Sequence, residues 1–527
     1  MSFSASSVTR RQVVGLAGAG ACALAATAAA ASPATAHAED TEVFVPSFLA
    51  KPDPLPEPAE TKDYDVVVVG CGTSGLAAAL KAHTDGAKVA IVQKLSFASS
   101  QGFEASGLAT ENDESAKQAF ASMCMRLSSY RPKRELLDAW AHTSGEAILF
   151  FADVMDAAGV EHKDVVESGY ERDCNGYMAK FIKLGPAPTY AGSVGTIADY
   201  AQTQGIDVFY DTPGVYLVTD GGAVTGVVAG TEEGGYTQFN AARGVILSTG
   251  DYQCNEDMIA YYCPDVRGFP PLEVGRTGDG HRMGVWAGGR IEPVGHTKMI
   301  HDVWMNSAPY LMVGPDGKRF ADEHMPWWEI NTLMRNLMQH AASPDDGRIF
   351  SIMDDDYYQQ AQAWQQVDPS LTAKELIPDT VETMGENGSF ALVHHGETIA
   401  ELAEAMGVDA ASLEATVERY NELVDLGSDE DFGKEAALLA PIAKPPLHAV
   451  QRDFNWGLSA TLGGLVVDGD NRVLNIDDEP IAGLFATGNT SGPFFGGVDY
   501  PMNFPGLSIG RALTTGYIAG RAAAARA

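Results

Sequence analysis

The strongest constraint on this chain is Tyr64-Asp-Val-Val-Val-Val-Gly-Cys-Gly-Thr-Ser-Gly75, a β-branched run that breaks into Gly70-x-Gly72-x-x-Gly75. Val66 to Val69 read as a buried parallel strand, and Leu76 to Ala82 as the helix that follows. Each glycine has its own task. Gly70 allows the tight turn, Gly72 lets backbone approach a pyrophosphate, and Gly75 lets helix and strand pack closely. Thr73 and Ser74 sit at the start of the helix, where free N–H groups and the positive dipole end meet the phosphates. A second strand, Lys88-Val-Ala-Ile-Val92, closes a βαβ unit. The expected class is therefore α/β, a Rossmann-like, doubly wound parallel sheet that binds a dinucleotide.

Upstream, residues 1–38 read as an export signal rather than fold. Thr9-Arg10-Arg11-Gln12-Val13-Val14 precedes an alanine-rich apolar stretch, and Ala36-His37-Ala38 supplies small residues for cleavage. The pattern resembles a twin-arginine signal and places the mature protein outside the cytoplasm, without a stable membrane anchor. Cleavage leaves roughly 490 residues, enough for two domains and a large core. The net charge, −35 for the whole chain, becomes more negative once Arg10 and Arg11 are removed. Such a surface disfavours nucleic acid as a partner. Cys71, Cys124, Cys174, Cys254 and Cys263 lack metal-ligand spacing and read as free thiols, with no metal site expected. No CxxCH occurs, so electrons must come from elsewhere. Residues 39–62, rich in Pro, Glu and Asp, read as a solvated leader.

Further pieces gather around the βαβ unit. Gln93 stands at the end of the second strand, where a fingerprint acid would meet the ribose; its amide keeps hydrogen-bonding capacity without the charge. A small-residue loop follows, Ser99-Ser-Gln101-Gly102-Phe-Glu-Ala-Ser106-Gly107. Two apolar strands end in Thr-Gly, at Thr249-Gly250 and at Thr487-Gly488-Asn489, and Thr277-Gly-Asp279-Gly opens a helical segment. The chain closes with Gly506-Leu507-Ser508-Ile509-Gly510, a glycine turn entering a helix.

As a set, these motifs resemble the flavoprotein family of fumarate reductase, succinate dehydrogenase flavoprotein subunits, urocanate reductase and 3-ketosteroid dehydrogenases, from about Tyr64 to the C-terminus. The resemblance implies FAD. Gly70 to Gly75 would hold its pyrophosphate, Gln93 would stand at the adenosine ribose, and Gln101, Gly102, Ser106 and Gly107 would pass the flavin. Thr249, Gly250 and Asp279 would also line the cofactor, with Asn489 where a Glu often meets the ribityl chain. The helix opened by Gly506, Leu507, Ser508 and Ile509 would point its N-terminus at the flavin. No His occupies the loop position that carries covalent FAD in succinate dehydrogenases, which implies non-covalent FAD. The implied FAD-binding domain is split, with one segment at 63–281 and another at 446–527, around an inserted α+β capping domain at 282–445. In the inserted stretch Asp409 precedes Ala410 to Val424, with Leu413, Val417, Tyr420 and Val424 on one helical face. Aromatic and Met residues cluster there too and read mostly as core.

The catalytic positions depart from the fumarate pattern. His296-Thr297 resembles the first substrate-binding motif, but Leu458-Ser-Ala-Thr461-Leu-Gly463-Gly464 lacks the later His. Met502-Asn503-Phe504 lacks the Arg of the family's Asn-Arg pair, and Tyr357-Tyr358 stands where the proton-donating Arg is expected. Tyr500-Pro before a glycine turn is similar to the 3-ketosteroid dehydrogenases, in which a Tyr and a backbone N–H polarise a carbonyl. The expected catalytic groups are Tyr500, His296 and Tyr358. The expected activity is hydride transfer from flavin to the C=C bond of a carbonyl-conjugated, largely apolar or aromatic small molecule, in anaerobic respiration. A separate cytochrome or quinol-linked protein would supply the electrons. Two alternatives stay open: a ketosteroid-type dehydrogenase running the reverse reaction, and an eroded flavin-binding protein.

Overall fold

The computed structural model describes residues 46–100, 104–162, 171–174, 176–185, 190–300, 307–339, 348–371, 380–381, 391–452, 457–497, 500 and 506–527. The export signal, Gln101, Gly102, Trp304, Met305 and Met502 to Phe504 lie outside them. The chain divides into two units, one formed by residues 1–264, 273–298 and 460–527, the other by residues 265–272 and 299–459.

The first unit is built on a mostly parallel sheet. Its parallel strands run in spatial order Pro480–Ala486, Gly235–Leu247, Glu60–Val69, Val89–Val92 and Asp207–Phe209. Valines 66 to 69 pair on one side with Val89 to Val92 and on the other with Gly244 to Leu247. Burial on both faces explains why these strands are continuous apolar runs rather than alternating ones. The first strand is flanked by the second and the fourth of the parallel set, so the winding direction reverses there. Ligands of open α/β sheets bind beyond the carboxyl ends of the strands at such a switch point. Residues Gly70 to Gly75 lie at that end, followed by the opening helix, Thr73–Thr84.

The opening helix packs against the terminal helix, Leu507–Ala524, through small residues. A Cβ on Gly516 would stand 2.2 Å from the Ser74 carbonyl oxygen, and one on Gly520 would stand 2.3 Å from that of Ala78. The Ala77-Ala78-Ala79 run therefore meets glycine, and the two helices approach at backbone distance. Five cysteines are free thiols, all buried except the partly exposed Cys254. Among the described residues no helix is long and apolar enough to cross a membrane.

The second unit is α+β. Its antiparallel sheet runs Leu311–Val313, Ile349–Met353, Leu447–Arg452, Ala391–Gly396 and Thr380–Val381. Helix Ala410–Leu426 begins where expected, its N-cap Asp409 accepting the Ser412 N–H at 2.9 Å. It buries Leu413, Val417, Tyr420 and Leu423, the first three in one cluster with Phe350, Ile352 and Leu402. Trp364, Tyr310 and Met353 fill a second cluster.

The expected boundaries need correcting at both ends. Residues 282–298 belong to the first unit, because Ile291 bridges to Leu465 and Glu292 accepts the Gly464 N–H. Residues 446–459 belong to the second, because Leu447–Arg452 pairs with strands on both sides in its sheet.

Candidate active site

Gly70 holds φ at +112°, and a Cβ there would stand 2.2 Å from the Ser248 carbonyl oxygen. At Gly72 a Cβ would meet the Ser99 carbonyl oxygen at 2.9 Å, and at Gly75 that of Gly70 at 2.0 Å. No side chain fits at any of the three, which leaves bare backbone at the helix mouth. The opening helix starts on Gly72 and the terminal helix on Gly506, neither with a side-chain cap. By contrast Asp113, Asn255, Thr398 and Asp409 each cap a helix by accepting a backbone N–H. The helices that start after Lys133, Gly278 and Asp356 also lack a side-chain cap, so it is the bare glycine backbone at Gly70 to Gly75 that leaves donors and dipole available for an anionic group. A pyrophosphate fits that cradle, and a flavin edge that gains negative charge suits the start of the terminal helix.

Gln93 serves the turn itself. Its Oε1 accepts the Cys71 N–H at 3.0 Å and its Nε2 donates to the Phe97 carbonyl at 2.8 Å. Thr73 and Ser100 join hydroxyls at 2.5 Å. Ser106 donates its N–H to the Gly506 carbonyl at 2.9 Å, and Gly107 is glycine because the Ser144 carbonyl would lie 2.8 Å from its Cβ. These two residues hold helices together. Thr249 accepts the Gly280 N–H at 3.1 Å, and Gly250 turns with φ at +76°. Asp279 takes Thr277, Lys94 and Arg282 as partners. Burial works to raise its pKa, but Lys94 and Arg282 outweigh it and hold the carboxyl low. Asn489 accepts from Arg511 Nη1 at 3.4 Å.

Of the three expected catalytic groups, one has its polar atom at a helix N-terminus. Tyr500 is 3% exposed. Its hydroxyl accepts the Ser508 N–H at 2.8 Å, at the uncapped start of the terminal helix. The Phe495 ring meets the Tyr500 ring edge-on at 5.3 Å, so the phenol has a fixed orientation. His296 is a correction. It is wholly buried and stacks on Tyr262 with ring centres 4.2 Å apart. Its Nε2 lies 3.0 Å from the Glu292 carbonyl and can only donate there, so Nδ1 accepts the Tyr252 hydroxyl at 2.7 Å. Both nitrogens are spent inside the fold, and burial pushes the imidazole down to about 3. Gly463 is glycine because the His296 ring would lie 2.1 Å from its Cβ. Tyr358 stands half-buried in the first turn of helix Tyr357–Val367 in the second unit.

Two polar residues that sequence reasoning passed over are Arg511, which Tyr500 acts on, and Glu292, which acts on Arg511. Arg511, 1% exposed, lies in the terminal helix with its guanidinium carbon 5.5 and 5.3 Å from the ring centres of Phe494 and Phe495. Glu292 is buried and accepts the Gly464 N–H at 3.0 Å; burial pushes its carboxyl up to about 7. The available signal for Arg511 was one charge in the otherwise small and apolar stretch Ile509-Gly-Arg-Ala-Leu513; Glu292, two residues after Arg290, left none.

The comparisons agree with this geometry. A family described as FAD binding domain matches residues 65–500. The chain is 27% identical over 490 residues to an NADH:fumarate oxidoreductase of Klebsiella pneumoniae (strain 342), covering 89% of this chain but only 48% of that protein, about half its length. It is 26% identical over 501 residues to a vinyl phenol reductase of Lactiplantibacillus plantarum, covering 88% of this chain and 97% of that one. In fold it is similar to 3-ketosteroid-Δ4-(5α)-dehydrogenase of Rhodococcus jostii RHA1, with TM-score 0.64, 23% identity, and 90% and 99% of the two chains covered. The glycine cradle and these matches converge: the chain belongs to the FAD-binding fumarate reductase flavoprotein family and is an FAD-dependent oxidoreductase acting on C=C and CH–CH bonds.

Proposed function

We propose that this protein is an exported reductase that saturates the C=C bond of a carbonyl-conjugated, largely apolar or aromatic small molecule, with Tyr500 as proton donor. When bound, FAD supplies the hydride. The observation that carries the reading is the Tyr500 hydroxyl accepting the Ser508 N–H at the positive end of the terminal helix. That bond does not use the phenol's own proton and stabilises the oxygen as negative charge develops on it. Phe494 and Phe495 give the site an apolar wall against water. The absence of His and Arg at the motif positions supports a substrate other than a small dicarboxylate. The Lactiplantibacillus relative is named a vinyl phenol reductase, which supports the aromatic part of this substrate class. FAD is proposed to be non-covalent, and electrons to come from a cytochrome or quinol-linked protein.

Turnover with reduced viologen across enones, cinnamate-like acids, steroids and vinyl phenols tests the activity. In the responding assay Tyr500→Phe should lower kcat by about 10²-fold or more, the range of general-acid catalysis, with flavin absorbance unchanged. An unchanged rate would remove Tyr500 from the mechanism. Replacing the viologen with an oxidising dye and a saturated substrate reads the reverse direction. Export rests on Arg10 and Arg11, and cell fractionation after Arg10→Lys with Arg11→Lys tests it: an unaltered distribution counts against the twin-arginine route.

A further inference from the structure

We infer that Arg511 is a positioning residue for Tyr500, a buried cation that favours the phenolate and so sets how readily Tyr500 gives up its proton. The inference rests on the reading of Tyr500 as the acid. Arg511 lies one helical turn beyond Ser508, the residue whose N–H meets the Tyr500 hydroxyl. It spans the faces of Phe494 and Phe495, and Phe495 in turn packs on Tyr500. Its hydrogen bonds go to neutral acceptors only: Asn489 Oδ1 at 3.4 Å, the Ser491 hydroxyl at 3.0 Å and the Ser491 carbonyl. Among the described residues no carboxylate comes within 4.0 Å of the guanidinium.

Its Nε has no hydrogen-bond partner among the described residues, and Arg511 lines a small cavity together with Trp140, Asn471, Leu136 and Val467. A guanidinium taken out of water without a counter-ion is costly, and in a low-dielectric interior its field reaches far. Burial pulls its pKa down to about 10, while Glu292 and then Tyr500 pull it back up, so the cation and the phenol sense each other. It stays charged wherever the enzyme works. Other charged and titratable groups around this pair include Lys298, Glu292, Arg131 and His296. Lys298 offers its carbonyl to the Tyr500 N–H at 3.1 Å. Glu292 is the one buried acid acting on Arg511, and Arg131 acts on Glu292 from the surface. His296 is held neutral.

Removing the cation should therefore raise the Tyr500 pKa, and removing the Glu292 charge should lower it. The FAD-loaded protein is titrated by ultraviolet phenolate absorbance, and subtracting the matching Tyr500→Phe protein isolates one phenol among 18 tyrosines. The midpoint should rise by about one pH unit or more in Arg511→Met, as expected for loss of a nearby opposite charge. It should move less in Arg511→Lys and fall in Glu292→Gln. Midpoints unmoved in both Arg511→Met and Glu292→Gln would overturn the inference. If Arg511→Met does not fold, the direction in Glu292→Gln decides alone. The titration needs no substrate, so it is separable from the acid role. That role fails if Tyr500→Phe turns over normally, whatever the midpoints do.

Discussion

Where the terminal helix crosses the first unit, backbone meets backbone. A Cβ on Gly510 would stand 1.8 Å from the Ser106 carbonyl oxygen, and the crossings at Gly516 and Gly520 are nearly as close. In the second unit the interior is held instead by charges. Arg319 bonds both Glu323 oxygens at 2.8 and 2.9 Å and both Asp429 oxygens at 3.0 and 2.8 Å, and Lys434 approaches Glu323 at 3.3 Å. All four side chains are buried. Helices that lack side chains at their seam can come close enough to bring two N-termini to one cofactor. Buried ion pairs fix a sheet and its helices but demand that every partner stay.

The largest expected break in that contrast is Gly510→Val. Neither the added atoms nor the Ser106 backbone has anywhere to move, so the loss should reach about 3 kcal/mol or more, with weakened flavin retention. Chemical denaturation and bound-flavin absorbance measure it, and a near-neutral result would mean the seam is not tight. Next comes Glu323→Gln, which leaves Arg319 and Lys434 with one acid between them. Breaking a buried pair in this way costs about 3–5 kcal/mol, and a denaturation midpoint close to that of the parent would reduce the network to decoration.

A third effect, graded with pH, is in acid. Burial holds His296 down to about 3 and His281 to about 4, whereas an unfolded histidine protonates near 6.5. As pH falls below 6.5 the unfolded chain takes protons the fold refuses, and the first unit loses up to about 1.4 kcal/mol per pH unit for each histidine. Glu292 works the other way. Raised to about 7, it binds its proton first in the folded state and offsets about one histidine until the unfolded carboxyl protonates near 4.3. In the second unit burial acts to raise Asp429, but Arg319 and the Lys434 and Phe432 N–H groups hold it well below the usual carboxylate range. That stability is intact above about pH 4 and is lost as pH falls further. Hydrogen exchange should show protection falling near pH 6 in the first unit and only below about pH 4 in the second. A shared onset would erase the distinction.

What was legible in the sequence follows the same division. The glycines could be read because no other residue replaces a Cβ-free position: Gly70, Gly72 and Gly75 each face a carbonyl oxygen. The Asp409 cap could be read because its partner lies three residues away. His296 was misread because what satisfies it, the Tyr252 hydroxyl, lies 44 residues back and shows no local pattern. The Arg319–Asp429 pair spans 110 positions and left no trace in spacing. The boundary at 445 missed Leu447–Arg452 because Leu-His-Ala-Val-Gln-Arg is a short buried strand of mixed residues with no pattern that assigns it to either unit.

The first unit's parallel sheet also imposes a timetable on synthesis. Strand Gly235–Leu247 receives its neighbour Pro480–Ala486 only after the whole second unit has been made. At about 5–20 residues per second, the roughly 240 intervening residues leave that edge waiting on the order of ten to fifty seconds. During that interval a Val-Ile-Leu edge is open to wrong pairing. The nascent chain must be shielded until Pro480–Ala486 and helix Leu507–Ala524 emerge, so the mouth that receives the flavin is assembled only after the second unit has been made.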